Sequence, residues 1–175
     1  MKDPVQQAIR SRRSIREYTD EPVQGDLLRR IITAGIWAPS GLNNQPWRFV
    51  IVTDDSKRQA LAPLTHYSHI ILAAPALIVV YLDRKAMYDP LKDHQAAGAC
   101  IQNMLLAAEE LGLGAVWLGQ ILKKASEVNR VLDVDTDRHE LMAVLALGHP
   151  AHRNQQSRRK PLEEFILHEF GGNVL

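Results

Sequence analysis

Apolar positions along this chain fall either at helical spacing or in continuous runs, and each pattern predicts its own element. Leu27, Leu28, Ile31, Ile32 and Ile36 return every three or four residues, the spacing of one helix face. Upstream, Asp3-Pro4 pairs a capping side chain with a proline whose missing N–H does no harm, and so starts a short helix over roughly Pro4 to Ser11. Arg48 to Thr53 is rich in β-branched and aromatic residues and predicts the first strand. Asp54-Asp55-Ser56 then signals a short helix to about Leu64. Thr65 to His69 is polar and aromatic without periodicity. Beyond Pro75, Ala76 to Leu82 is a continuous apolar run, as expected of a strand covered on both faces at the centre of a sheet.

Asp83 to Pro90 reads as a loop, and Asp93 to Leu111 as the longest helix. Within that helix Ala96-Ala97-Gly98-Ala99-Cys100-Ile101 is small and apolar all round, which predicts burial on every side and close approach of another helix, plausibly from a second subunit. Gly112 stops it. Ala115 to Leu118 and Leu141 to Leu147 are further strands, with a short helix from Ser126 to Leu132 between them. After Arg153 the tail is charged, then amphipathic through Phe165, Ile166 and Phe170. Helices and strands are mixed throughout one domain spanning 1–175, so the class is α/β or α+β.

The 175 residues, 46% of them hydrophobic, suffice for one real core. A net charge of +1 gives no general attraction to nucleic acid or anionic membrane. The positive charge is uneven, with Arg10, Arg12, Arg13 and Arg16 near the start and Arg153, Arg158, Arg159 and Lys160 near the end. These clusters are either two halves of one anion site or two solvated faces. Cys100 is the only cysteine, which rules out an intrachain disulfide and a cysteine-based metal site and suits a reducing cytoplasm. The start of the chain has no signal-peptide pattern, and its longest apolar run, Ile70 to Leu82, is too short for a membrane helix.

Common catalytic patterns are missing: there is no G-x-S-x-G, H-E-x-x-H, phosphate-binding loop or zinc spacing. Gly112, Gly114 and Gly119 lead into a strand where a dinucleotide fingerprint would follow one. What remains is a loop, Ala38-Pro39-Ser40-Gly41-Leu42-Asn43-Asn44-Gln45-Pro46-Trp47, with prolines at either end and Gly41 expected to supply the turn. Its hydroxyl and amide groups can read carbonyl and amide edges. Arg12, Ser14, Arg16 and Arg159 can hold a phosphate and a neighbouring polar ring, and backbone near Gly119 can approach a flat ligand. Trp37 and Trp47, which flank the loop, are expected in the core.

Together, Arg12-Arg13-Ser14-Ile15-Arg16, the Ala38–Trp47 loop, Leu111 to Gly119 and Arg159-Lys160-Pro161 resemble the FMN-dependent nitroreductase family, in its order and at comparable spacing over nearly the whole chain. The resemblance is to its short members. It implies an α+β, three-layer nitroreductase-like fold, with a central mixed β-sheet flanked by helices, in an intertwined homodimer with FMN at the interface. It further implies that Arg12 and Arg159 hold the FMN phosphate with Ser14, Arg13 and Arg158 beside them, and that Arg16 faces the pyrimidine edge. Pro39, Ser40, Gly41, Asn43 and Gln45 would reach the partner's flavin, and Trp117, Leu118 and Gly119 would lie near its N5. Larger relatives often have an asparagine near position 67, where this chain has His66 and Tyr67; with His69 these are candidates for the substrate pocket. The implied activity passes hydride from NAD(P)H through bound FMN to a nitroaromatic, quinone or similar acceptor, with no essential protein nucleophile. A flavin-fragmenting or reductive dehalogenating enzyme of the same fold, and a flavin-binding module without turnover, are the alternatives.

Overall fold

Alternation along the strands divides the core into two halves. In the computed structural model, which describes residues 3–171, Ile78, Val80, Ala143 and Leu145 pack on one face of a four-stranded sheet against two helices, α2 (Gly25–Ile36) and α5 (Pro90–Glu110). Leu77, Val79, Tyr81, Val144 and Ala146 pack on the other face, against α3 (Asp55–Leu61), α4 (Ser68–Ala73) and α6 (Ala125–Val131). The result is three layers, helices on both sides of a sheet. The continuous apolar run of β2 requires cover on both faces, because successive side chains of a strand point to opposite sides.

The strands β1 (Trp47–Val52), β2 (Ala76–Asp83), β3 (Gly114–Leu118) and β4 (His139–Gly148) lie in the order β1-β2-β4-β3. Every residue of β2 is buried, as its continuous apolar run predicts. The expectation of a mixed sheet fails, because all three pairings are antiparallel. β2 and β3, joined by α5, do run in the same direction, but β4 lies between them and takes both as antiparallel neighbours. Among the described residues the one parallel contact is an isolated bridge from Ser14 to Ala115, on the edge of β3 that β4 leaves free.

The first helix, α1 (Pro4–Ser11), has its expected bounds, with the Asp3 side chain accepting from the Gln6 N–H. α5 begins earlier than expected, at Pro90, because Asp89 caps it through the Lys92 N–H. α4 was not anticipated; its apolar residues run on into those of β2. The long helix buries one face within the chain, along its own Ala97, Cys100, Ile101, Met104 and Ala108. A Cβ added at Gly98 would meet nothing within 4 Å, so the all-round cover expected from its small residues is not provided by this chain alone. Trp37 overturns its assignment to the core at 80% exposed, whereas Trp47 is buried at 4%. Beyond Pro161 the tail exposes Leu162, Phe165, Leu167 and Phe170. Among the described residues no helix is long and apolar enough to cross a membrane.

Candidate active site

The segment after α1 is laid along the edge of β3. The Ile15 N–H donates to the Ala115 carbonyl (3.0 Å), and the buried Ile15 side chain fills the space that Gly114 leaves. Because Ser14 bridges Ala115 in parallel, the chain from Ser14 to Arg16 runs in the direction of β3, toward Trp117 and Gly119. Tyr18 fixes its far end, its hydroxyl donating to the carbonyls of Ile15 (2.6 Å) and Ala146 (3.1 Å).

Arg12, Arg13 and Arg159 come together here from opposite ends of the sequence. With Arg10, Gln102 and Ser157 they line a cavity of about 310 Å³ that has no carboxylate in its wall. Burial lowers the pKa of Arg12, and the charges of Arg13 and Arg159 add to the effect while Glu109 opposes it. Concentrated cationic charge of this kind is what a phosphate group needs in a protein site. The roles of the three differ. Arg13 Nη1 is occupied with the carbonyls of Arg10 (2.6 Å), Ser11 (3.2 Å) and Arg12 (2.9 Å), closing the end of α1. Arg159 donates to Ser157 Oγ and to the Arg158 carbonyl. Arg158 is exposed and does not line the cavity.

The Ala38–Trp47 loop is built differently from its sequence expectation. No left-handed turn occurs at Gly41; Leu42, Asn43 and Gln45 take positive φ instead (53°, 55° and 47°). Gly41 is needed for close approach, since a Cβ there would fall 2.2 Å from the Tyr88 ring. Ser40 Oγ accepts from the Gln45 N–H (3.1 Å), and Gln45 Nε2 donates to the Asn43 carbonyl (3.2 Å), so the Gln45 side chain is engaged within the loop. Pro39, Ser40 and Gly41 line a second cavity of about 300 Å³ with Tyr88, Lys92 and Gln95. It shares no lining residue with the arginine cavity, and Gln95 and Gln102 stand about 10 Å apart along the axis of α5. Within one chain the two groups of candidate residues are therefore separate.

At the end of β3, Leu118 is buried, Gly119 is exposed, and Trp117 is 43% exposed. The next residue, Gln120, accepts from Thr65 Oγ1 (2.7 Å) and from the His66 N–H (3.0 Å) through the same side-chain oxygen. That fastens the segment carrying His66, Tyr67 and His69 to the Gly119 turn, and all three side chains are exposed there. Gln102, Ser157, Tyr88 and Gln120 were missed in the sequence. Only the position of Gln102 on α5 carried a signal, as a polar residue beside a run of small apolar ones.

The nitroreductase family profile matches residues 9–68 and 64–149. A candidate nitroreductase from Desulfovibrio desulfuricans, solved in complex with FMN, is 53% identical with a TM-score of 0.92, over 98% of this chain and all of that one. The NADPH:FMN oxidoreductase of Vibrio harveyi, solved with NAD+, superposes at a TM-score of 0.85 with 29% identity, covering 99% of this chain and 80% of its own. A candidate NADH dehydrogenase/NAD(P)H nitroreductase of Methanothermobacter thermautotrophicus is 33% identical over 150 residues, 84% of this chain and 78% of the relative. With the profile spanning both the arginine segment and the sheet that carries it, this chain belongs to the nitroreductase family.

Proposed function

We propose that this chain is an FMN-dependent NAD(P)H oxidoreductase that delivers hydride to an electron-poor acceptor such as a nitroaromatic or a quinone. The single observation that carries the reading is the carboxylate-free cavity formed by Arg12, Arg13 and Arg159 with Gln102 and Ser157, whose charge and donors fit a phosphate. Relatives with the same fold are named as flavin oxidoreductases and FMN reductases, in agreement with it.

In this reading residues 1–175 form one FMN-binding domain. Arg12 and Arg159 bind the phosphate, Ser14 assists, and Arg13 braces the turn that carries Arg12. Arg16 lies along the flavin's pyrimidine edge and supplies positive charge there. Trp117, Leu118 and Gly119 set the backbone against the reactive face, where the absence of a side chain at Gly119 leaves room. FMN, when bound, supplies the hydride chemistry, accepting from a transient nicotinamide and passing it to the acceptor. The protein's share is placement, charge and exclusion of water.

The working unit is a homodimer. The flavin-reaching residues Pro39, Ser40, Gly41 and Asn43 do not line the arginine cavity of their own chain, which supports a site completed by a second copy. An apolar groove of about 500 Å³, lined by Val5, Ala8, Trp37 and Leu106 among others, and the exposed apolar tail are surfaces for that second copy to cover. One buried cysteine suits a reducing cytoplasm.

The test is direct. FMN added to the purified protein should lose fluorescence on binding, NAD(P)H should bleach the bound flavin, and a quinone should restore its colour over repeated cycles. Protein that leaves the FMN spectrum and fluorescence unchanged refutes the proposal.

A further inference from the structure

Asp93 lies in the first turns of α5 and has no solvent exposure. Its carboxylate is surrounded by donors: Oδ1 accepts from Asn44 Nδ2 (2.7 Å), and Oδ2 accepts from the backbone N–H groups of Tyr88 (2.9 Å) and Asp89 (3.0 Å). Helix capping accounts for part of this arrangement, since the Asp89 side chain caps α5 through Lys92 and Asp93 reaches back to the Asp89 N–H, but not for the bonds from Asn44 and the Tyr88 N–H. Burial alone would raise the Asp93 pKa, but hydrogen bonds from Asn44, Asp89 and Tyr88 outweigh it and hold the group below its ordinary value. The carboxylate is thus ionised at neutral pH.

Both contacts lead to the same loop. Asn44 belongs to it, and the second Asn44 N–H donates to the Ala86 carbonyl (3.0 Å). Tyr88, whose backbone Asp93 grips, presses its ring against Gly41. Between these two anchors Leu42 and Asn43, and just beyond them Gln45, hold left-handed backbone that side chains with a Cβ disfavour. Bonds within the loop, from the Gln45 N–H to Ser40 Oγ and from Gln45 Nε2 to the Asn43 carbonyl, hold part of this shape. From outside, buried Asp83 meets its Pro46 end through the Asp83 N–H, and buried Asp93 grips its Gly41–Asn44 part through Asn44 and Tyr88.

We propose that Asp93 is a positioning residue, which through Asn44 and Tyr88 presets the Pro39–Asn43 loop in the form that receives the partner subunit's flavin. The proposal rests on the functional reading above, in which that loop contacts FMN. It assigns a function in cofactor binding to a carboxylate that never touches the cofactor, acting by preorganisation: a loop already in its bound shape loses less freedom when the ligand arrives.

The test compares Asp93→Asn and Asn44→Ala with the native protein. All three groups facing Asp93 are donors, so the amide of Asp93→Asn must turn its own N–H groups toward one of them and break the link without changing size. Each variant should raise the FMN dissociation constant about tenfold, the effect of losing one charge-assisted hydrogen bond, as read by fluorescence quenching. The double variant should weaken binding no further than the worse single one, because both cut one link. Turnover at saturating FMN should stay within about twofold of native, since the chemistry of the assembled site is untouched. A merely structural carboxylate gives the opposite pattern, a lower Tm with unchanged FMN affinity, and that result overturns the proposal. If Asp93→Asn fails to fold, Asn44→Ala decides by the same measurement. Native protein that takes up no FMN defeats the functional reading itself, an outcome distinct from native binding with an unaffected variant.

Discussion

Gly114→Ala tests how the arginine segment is held. Gly114 opens β3, and a Cβ there would fall 2.6 Å from Ile15 Cγ2, 2.7 Å from Ile15 Cβ and 3.0 Å from Ile15 Cγ1. Carbon atoms pack at about 3.5–4.0 Å, so the two elements must separate by roughly 1 Å. Ile15 cannot swing clear, because it is 2% exposed and tethered by its N–H to the Ala115 carbonyl. Overpacking of this kind costs about 1–3 kcal/mol. In a domain of this size that corresponds to a fall in Tm of about 2–12 °C. Gly25→Ala is the control, since nothing lies within 4 Å of a Cβ there. Differential scanning calorimetry of the cofactor-free proteins measures the cost, and FMN titration measures its effect on the site. Because Ile15 lies between Ser14 and Arg16, the displacement should also weaken FMN binding. A Gly114→Ala protein that melts within about one degree of Gly25→Ala and binds FMN equally well refutes the claim that Ile15 seats the arginines on β3.

The other predictions concern separate parts of the molecule. Asn43→Asp puts a negative charge on the loop proposed to reach the flavin and should weaken FMN retention with little change in Tm; unaltered affinity would remove Asn43 from the proposed site. Gly98→Leu fills the open face of α5 and should shift the proposed dimer toward monomer in sedimentation, whereas an undiminished dimer would mean that no helix packs there. Asp83 is held at a pKa of about 2 by the Arg138 hydrogen bond, with help from the Lys85 N–H and the charges of Arg138 and Arg48 against the effect of burial. Its folded value lies below the ordinary 3.8, so its contribution is complete above that pH and disappears as pH falls toward 2. Arg138→Met should therefore move the acid-unfolding midpoint upward in circular dichroism, and an unmoved midpoint would refute the pairing. Burial pushes the Cys100 thiol up to about 12, so a thiol reagent at pH 8 should label it only as the protein unfolds; rapid labelling of native protein would contradict that burial.

Elements set by local rules were legible in the sequence. Asp3-Pro4 starts α1 at its observed residue, and the apolar run of β2 identifies the doubly covered strand. The same Asp-Pro signal at Asp89-Pro90 starts α5 but was read as loop, because the residues before it gave no sign that the helix began so soon. The arginine segment and the Ala38–Trp47 loop could be picked out because their residue types are unusual in combination. What their residues do depends on partners far away in sequence. Gly41 answers to Tyr88, Gln120 to Thr65, and Asn44, rather than Asn43, to a carboxylate on α5. Trp37 and Trp47 flank the loop alike and were both expected in the core, yet only Trp47, which opens β1, is buried, while Trp37, just past the end of α2, lines an open apolar groove.

The strand order has a consequence for how this protein is made. β4 is the last strand along the chain but lies inside the sheet, between β2 and β3, and Ser157 and Arg159 follow it to close the cavity that Arg12 begins. On the ribosome, a nascent chain that has not reached Gly148 exposes the long edges of β2 and β3 with nothing between them, a state open to mispairing. The arginine cavity comes into being only after that gap is filled. In the proposed reading, FMN uptake would then report that synthesis has passed Arg159, because no chain ending before it carries the whole arginine cavity.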